Sequence, residues 1–245
     1  MKAAVQHRPR NAGSAEAIVE LRDVTVTYRN GTSAIEAVKD VSVDIRPGEL
    51  LLVTGPSGSG KTSILQVLGL LLEPTSGEVI IEGERLAGFA QHRLSALRRR
   101  YCGFVFQTYN LFPTLTAIEN VMTASDLKGA RGADAYRRAA RLLSRVDLAD
   151  KIDSYPATLS GGQKQRVAVA RALAGDPPLI LADEPTAALD WAAGQSTMQL
   201  LRSLADEEKR AIVVVTHDSR IISFADRILA MQDGRLVTPE THRSL

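Results

Sequence analysis

The run Gly55-Pro56-Ser57-Gly58-Ser59-Gly60-Lys61-Thr62 stands between two segments of different character. Before it, Glu49-Leu50-Leu51-Leu52-Val53-Thr54 is a short unbroken apolar stretch that reads as a strand buried on both faces. After it, Ser63-Ile64-Leu65-Gln66-Val67-Leu68-Gly69-Leu70 has its apolar residues at helical spacing. A strand, a glycine-rich turn and a helix N-terminus form a cradle for anions, because backbone N–H groups and the helix dipole converge on one spot. The spacing G-x-x-x-x-G-K-[ST] assigns roles: Lys61 reaches the β- and γ-phosphates, and the Thr62 hydroxyl holds Mg²⁺.

Around this segment the chain alternates strands and helices, which implies an α/β fold with a mainly parallel sheet covered on both sides. Val24, Val26 and Tyr28 alternate with threonines and predict a half-buried strand ending in a hairpin at Arg29-Asn30-Gly31. Val41, Val43 and Ile45 give the returning strand, and Glu78–Ile81 a further one before a turn at Gly83. A helix closes at Arg98-Arg99-Arg100, followed by a strand over 101–106 and a polar loop at Gln107-Thr108-Tyr109-Asn110. Helices are then expected over 116–127 and 133–146, so a helical block interrupts the α/β core. The core resumes with the apolar strands 179–182 and 211–216, a helix capped by Asp190 and a last hairpin at Asp233-Gly234. Residues 1–16 read as a loose tail and 238–245 as another.

With 245 residues, 44% of them hydrophobic and 24% charged, the composition is that of an ordinary folded α/β chain. Lys and Arg number 30 against 28 Asp and Glu, so the net charge of +2 leaves no nucleic-acid footprint. Arg137, Arg138, Arg141 and Arg145 read as a solvated helix face, with nucleic-acid contact as the alternative. No apolar run reaches membrane-span length, and Met1–Arg10 lacks the apolar region of a secretory signal. Cys102 is the single cysteine, which rules out an internal disulfide and suits a reducing cytosol; its apolar neighbours predict a buried side chain.

Two further stretches carry chemistry. Leu179-Ile180-Leu181-Ala182-Asp183-Glu184 delivers two carboxylates at a strand's C-terminal end, beside the expected cradle. Asp183 can hold Mg²⁺ directly or through water, and Glu184 can polarise an attacking water. Leu159-Ser160-Gly161-Gly162-Gln163 opens a helix rich in small residues and forms a second glycine-rich anion site. One nucleotide has little use for two such sites in a single chain, whereas two chains facing head to tail could each cap the γ-phosphate held by the other.

In this order the motifs resemble the nucleotide-binding subunit of ATP-binding cassette (ABC) transporters, over roughly residues 18–237. The resemblance implies a phosphate-loop NTPase (RecA-like) core with an antiparallel β-subdomain and an inserted helical signature subdomain at about 92–172, within a domain spanning 17–237. It implies ATP and Mg²⁺ as cofactors and ATP hydrolysis as the activity. The phosphate loop with Ser63 binds nucleotide, as do Ser160, Gly162 and Gln163 from the facing copy. Tyr28 matches the adenine-stacking aromatic, with a core strand aromatic as the other reading; Gln107 matches the glutamine that senses Mg²⁺ and the water. Asp190 matches the aspartate that crosses the dimer interface, although its capping role could be its whole role. His217 matches the histidine that contacts the γ-phosphate and positions Glu184.

Leu181–Thr186 with Ala187–Asp190 is similar to the MacB/LolD exporter group, and Phe104–Gln107 with Val215–Arg220 looks closest to its DevA-like glycolipid-exporter branch. That likeness implies a homodimer held peripherally on the cytoplasmic face of the membrane by permease subunits with a periplasmic domain, with a membrane-fusion adaptor as a further partner. Tyr109, Leu111, Phe112 and Leu115 are candidates to line a groove for a permease helix. A cell-division or other non-transport ABC ATPase, or an importer cassette, stands as the alternative.

Overall fold

A computed structural model describes residues 6–7, 16–31, 33–86, 90–126 and 132–237. Its strands and helices are, in chain order, β1 (Gln6–His7), β2 (Val19–Asn30), β3 (Ser33–Ile45), β4 (Leu50–Thr54), α1 (Lys61–Leu68), β5 (Ser76–Ile81), β6 (Glu84–Arg85), α2 (Gln91–Tyr101), β7 (Cys102–Val105), α3 (Ala117–Asp126), α4 (Gly132–Arg145), α5 (Gly161–Leu173), β8 (Leu179–Asp183), α6 (Trp191–Glu208), β9 (Ala211–Thr216), β10 (Arg227–Gln232) and β11 (Arg235–Val237). Three short 3-10 segments, Ala149–Lys151, Pro156–Thr158 and Ser219–Phe224, complete the set among the described residues.

Two sheets result. The larger runs β1-β10-β4-β9-β8-β7, with β11 joined to β10, and the five strands from β10 to β7 are parallel. The smaller, in the order β3-β2-β5-β6, is antiparallel throughout. Strand β4 shows why the apolar run had to be central: Leu51 and Val53 enter the core against α1 and the small sheet, while Leu50 and Leu52 enter the core against the helices. Strands β8 and β9 divide in the same way, Leu179 and Leu181 on one face and Ile180 and Ala182 on the other. Such strands carry no solvent face, so alternation is lost and the sequence reads as continuous hydrophobics.

Helices α3, α4 and α5 pack on one another beside the sheet, and α5 also lies against β7. Gly103 sets that distance: a Cβ there would come within 2.5 Å of the Ala172 carbonyl oxygen. Arg145 of α4 forms an ion pair with Glu208 at the end of α6, and Arg210 binds Glu208 and Asp176 in turn, so charged groups tie the helical block to the core.

The structure departs from the sequence reading in particulars. Gln6–His7, inside the stretch read as a loose tail, pairs antiparallel with Arg227 and Ile228. Tyr101 closes α2 instead of opening β7, and its hydroxyl donates to Glu82 Oε2 at 2.7 Å. Cys102 is half-buried rather than enclosed. The tail read at 238–245 lies outside the described residues.

Candidate nucleotide site

Four parallel strands end side by side, and their C-terminal ends carry the singled-out residues. Strand β4 runs into the glycine loop, β9 into His217, β8 into Asp183 and Glu184, and β7 into Gln107. Because β9 lies between β4 and β8, the histidine enters between the lysine loop and the carboxylates. Crevices at the carboxyl ends of parallel strands are where α/β sheets take their ligands.

The loop is packed from behind. Gly60 has φ of +100°, and a Cβ on it would lie 2.1 Å from the Ala37 carbonyl oxygen. Gly55, at φ +149°, would meet the Met231 carbonyl oxygen at 2.2 Å. Only glycine meets both demands, a left-handed backbone and the close approach of a neighbouring chain. The β10–β11 turn adds a strap, since Gly234 N–H donates to the Ser59 carbonyl oxygen (3.1 Å) while its own carbonyl accepts from Lys39 N–H (2.8 Å). At the first turn of α1, Lys61 is 7% exposed and its Nζ donates to the carbonyl oxygens of Gly55 (2.8 Å) and Pro56 (2.7 Å). Burial lowers the Lys61 pKa from the usual lysine value, against the pull of Glu184 and Asp183.

Thr62 Oγ1 donates to Asp183 Oδ2 at 3.4 Å, which brings a hydroxyl and a carboxylate together at the helix N-terminus. Burial and then the adjacent Glu184 raise the Asp183 pKa, opposed by Thr62 and Lys61. Hard oxygen donors of this kind, few in number and next to a phosphate cradle, suit an octahedral cation that keeps most of its shell as water and phosphate oxygens.

Glu184 leaves the sheet at a left-handed φ of +49°, rare for a residue with a side chain, and its N–H donates to Val215 O at 2.9 Å. Strain of this kind persists only where neighbours fix it. Its Oε1 lies 2.6 Å from His217 Nδ1, and its Oε2 accepts from Thr216 Oγ1 at 3.3 Å. In the tautomer with hydrogen on Nδ1, the ring donates to the carboxylate. Both oxygens of Glu184 are thereby aimed.

Tyr28 is 44% exposed, so the core reading does not hold; its hydroxyl lies 3.2 Å from Ser63 Oγ on α1. Ser160 caps α5 with a full capping box: Ser160 Oγ accepts from Gln163 N–H (3.2 Å) and Gln163 Oε1 from Ser160 N–H (2.9 Å). Gly162 faces the first turn of α6, where an added Cβ would come within 3.1 Å of Ala193 Cβ. Asp190 caps α6 by accepting from Ala193 N–H at 2.9 Å. Gln107 sits exposed on the loop after β7. Thus Lys61, Thr62, Ser63, Tyr28, Asp183, Glu184 and His217 share one mouth, while the Ser160–Gly162 edge and Asp190 are drawn together at the starts of α5 and α6.

Several participants were not singled out from the sequence. Thr216 aims Glu184. Arg171, its pKa lowered by burial, donates to the carbonyl oxygens of Tyr109 (2.8 Å) and Asn110 and so braces the loop that carries Gln107. Phe104, Phe106, Leu71 and Arg99 join Phe112, which the sequence did single out, in lining a groove of roughly 440 Å³ beside that loop. Leu111 of the expected groove packs instead against the helical core, and Tyr109 turns its hydroxyl to the Ala188 carbonyl oxygen at 3.4 Å.

A glycine-cradled lysine on a helix N-terminus, with a paired acidic strand end across from it, defines a phosphate-loop nucleoside triphosphatase. Within that class, the family model described as "ABC transporter" matches residues 38–187. The chain belongs to the ABC transporter family, as an ATP-binding and ATP-hydrolysing cassette of the MacB/LolD type. It is 44% identical to the ABC transporter ATP-binding protein MJ0796 of Methanocaldococcus jannaschii, over 92% of this chain and 98% of that one. It is 42% identical to the macrolide export ATP-binding/permease protein MacB of Brucella melitensis, over 93% of this chain but 35% of that protein, so it spans about a third of that relative's length. Among solved structures, the dimeric post-hydrolysis state of MJ0796 bound to ADP and Pi superposes with a TM-score of 0.83 at 43% identity, covering 93% of this chain and all of that one. The protein cbiO1 of Clostridium perfringens, part of the ABC transporter complex cbiONQ, gives 0.80 at 28% identity, over 90% of this chain and 87% of that one.

Proposed function

We propose that this cassette hydrolyses ATP within a head-to-tail pair of copies and thereby drives a membrane permease of the export or mechanotransmission kind. The observation that carries the reading is the 2.6 Å His217–Glu184 contact at the mouth of the lysine cradle, because it fixes a general base where the γ-phosphate would end. The phosphate loop from Gly55 to Ser63 grips the nucleotide, and the exposed ring of Tyr28 offers its face to adenine. Thr62 and Asp183, with Gln107 from the loop after the neighbouring strand β7, would hold Mg²⁺, which when bound neutralises charge on the phosphates. Glu184 takes a proton from the attacking water while His217 keeps the carboxylate in line. Phosphoryl transfer asks little covalent chemistry of a protein, so positioning and charge stabilisation supply the rate.

The start of α5 carries Ser160 exposed at its cap, and a partner's copy of Ser160, Gly162 and Gln163 would enclose the far side of the γ-phosphate. The helical block, about 92–172 within a domain of 17–237, delivers that edge. The apolar groove beside the Gln107 loop is the surface offered to the permease, whose large extracytoplasmic part and fusion adaptor would lie across the membrane. Among the described residues no helix is long and apolar enough to cross a membrane. Attachment at the cytoplasmic face would run through that permease.

The test is Glu184→Gln. It should keep ATP affinity and lose about 10²–10⁴-fold in turnover, as expected when a general base is removed. With ATP it should also shift from monomer to dimer in size-exclusion chromatography with light scattering. Wild-type turnover in that variant would show that Glu184 is not the base.

A further inference from the structure

The first turn of α6 lies where three parts of the site meet. Asp190 caps it, Gly162 of the signature edge abuts Ala193 within it, and its first residue, Trp191, carries the ring that faces the turn following His217. Trp191 is 42% exposed, and the Arg220 guanidinium carbon sits 4.8 Å from its ring centroid. Arg220 is not free to swing. Its Nε and Nη2 donate to Asp218 Oδ1 (2.9 Å) and Oδ2 (2.8 Å), and its own N–H donates to Oδ1 as well (2.9 Å). Asp218 N–H in turn donates to Thr216 Oγ1 (2.9 Å), the hydroxyl that holds Glu184 Oε2. Ring, guanidinium, the Asp218 carboxylate and then its backbone N–H, and the Thr216 hydroxyl link the start of α6 to the base, with His217 between Thr216 and Asp218 in the chain.

The contact between Trp191 and Arg220 lies at the surface. Its geometry joins two segments with different duties. In the head-to-tail pair proposed above, on which this inference rests, Asp190 and the Ser160–Gly162 edge face the partner's nucleotide, whereas Glu184 and His217 face the chain's own. We propose that the Trp191–Arg220 contact is a positioning strap through which engagement of the partner's ATP sets the Glu184–His217 pair of the same chain, coupling the two sites. A cation held over an indole face is directional enough to move with the helix that carries the ring.

The test is steady-state ATP hydrolysis by the full chain, wild type against Trp191→Ala, Arg220→Ala, the double variant and Trp191→Phe. Two coupled sites allow a Hill coefficient up to about 2. Wild type should exceed 1, and each alanine variant should fall towards 1. Turnover should drop about two- to fivefold at unchanged KM, the range an exposed cation–π contact supports. The double variant should be no worse than either single one, because both remove the same contact. Trp191→Phe, which keeps a ring, should recover most of the loss. Alanine variants with wild-type turnover and Hill coefficient would overturn the strap, as would a Trp191→Phe no better than alanine. Pairing is read separately by adding ATP to Glu184→Gln with and without Trp191→Ala. If both pair while the kinetics ignore Trp191, the strap falls and the head-to-tail reading stands. If neither pairs, both fall.

Discussion

Burial lowers the cost for Lys61 of giving up its proton, and two loop carbonyls hold its ammonium. Removing it leaves phosphate charge uncompensated inside a cradle of N–H groups. Lys61→Ala should weaken ATP binding by about 10- to 100-fold, the worth of a charge-assisted bond, as measured by calorimetric titration; unchanged affinity would count against the cradle. At this scale the sequence was highly legible wherever a residue type is dictated by chemistry: lysine, threonine, paired carboxylates and histidine all reached one mouth. It was opaque where a role comes from aim alone. Nothing in the letters marks Thr216 as holding Glu184 or Arg171 as bracing the Gln107 loop, because those bonds cross more than 30 residues of chain.

Among elements, the central strands were readable because burial on both faces erases alternation, and β4, β8 and β9 fell close to their expected bounds. The hairpin of β2 and β3 was longer than its alternating core, extending to 12 and 13 residues with register irregularities between Leu21 and Thr27. Bulges of that kind break the period of two and hide strand ends. The α2–β7 boundary moved by one residue because Tyr101 is drawn back to Glu82 by its hydroxyl, a tertiary contact with no local signal. Strand β7 meets α5 across Gly103, which makes the seam between sheet and helical block intolerant of bulk. Gly103→Ala should destabilise the protein by about 1–3 kcal/mol through overpacking, read from the denaturant midpoint. A midpoint equal to wild type would mean that α5 can retreat from the sheet freely.

For the whole molecule, the large sheet is closed on one flank by a buried pair, Arg227 on β10 with Glu49 before β4, at 2.9 Å. Burial raises the Glu49 pKa above the ordinary glutamate value of 4.5, against the pull of Arg227. The native state thus keeps this proton to higher pH than the unfolded chain does. By linkage, this carboxylate makes stability fall as pH rises from 4.5 through its folded value, and the loss is complete above it. Glu49→Gln should flatten that part of the stability–pH curve, measured by thermal melts from pH 4 upward at about half-unit steps; an unaltered slope would show that Arg227 fully offsets the burial. The overall architecture was legible since alternating strands and helices permit few arrangements. The short antiparallel additions β1 and β6 were not, being two residues each and specified by their neighbours' open edges. The β10–β11 turn also offers a handle. The Gly234 amide, far along the chain from the lysine loop, donates to the carbonyl of Ser59 within it, so its hydrogen–deuterium exchange rate is a remote gauge of how firmly that loop is held, with ATP expected to slow it.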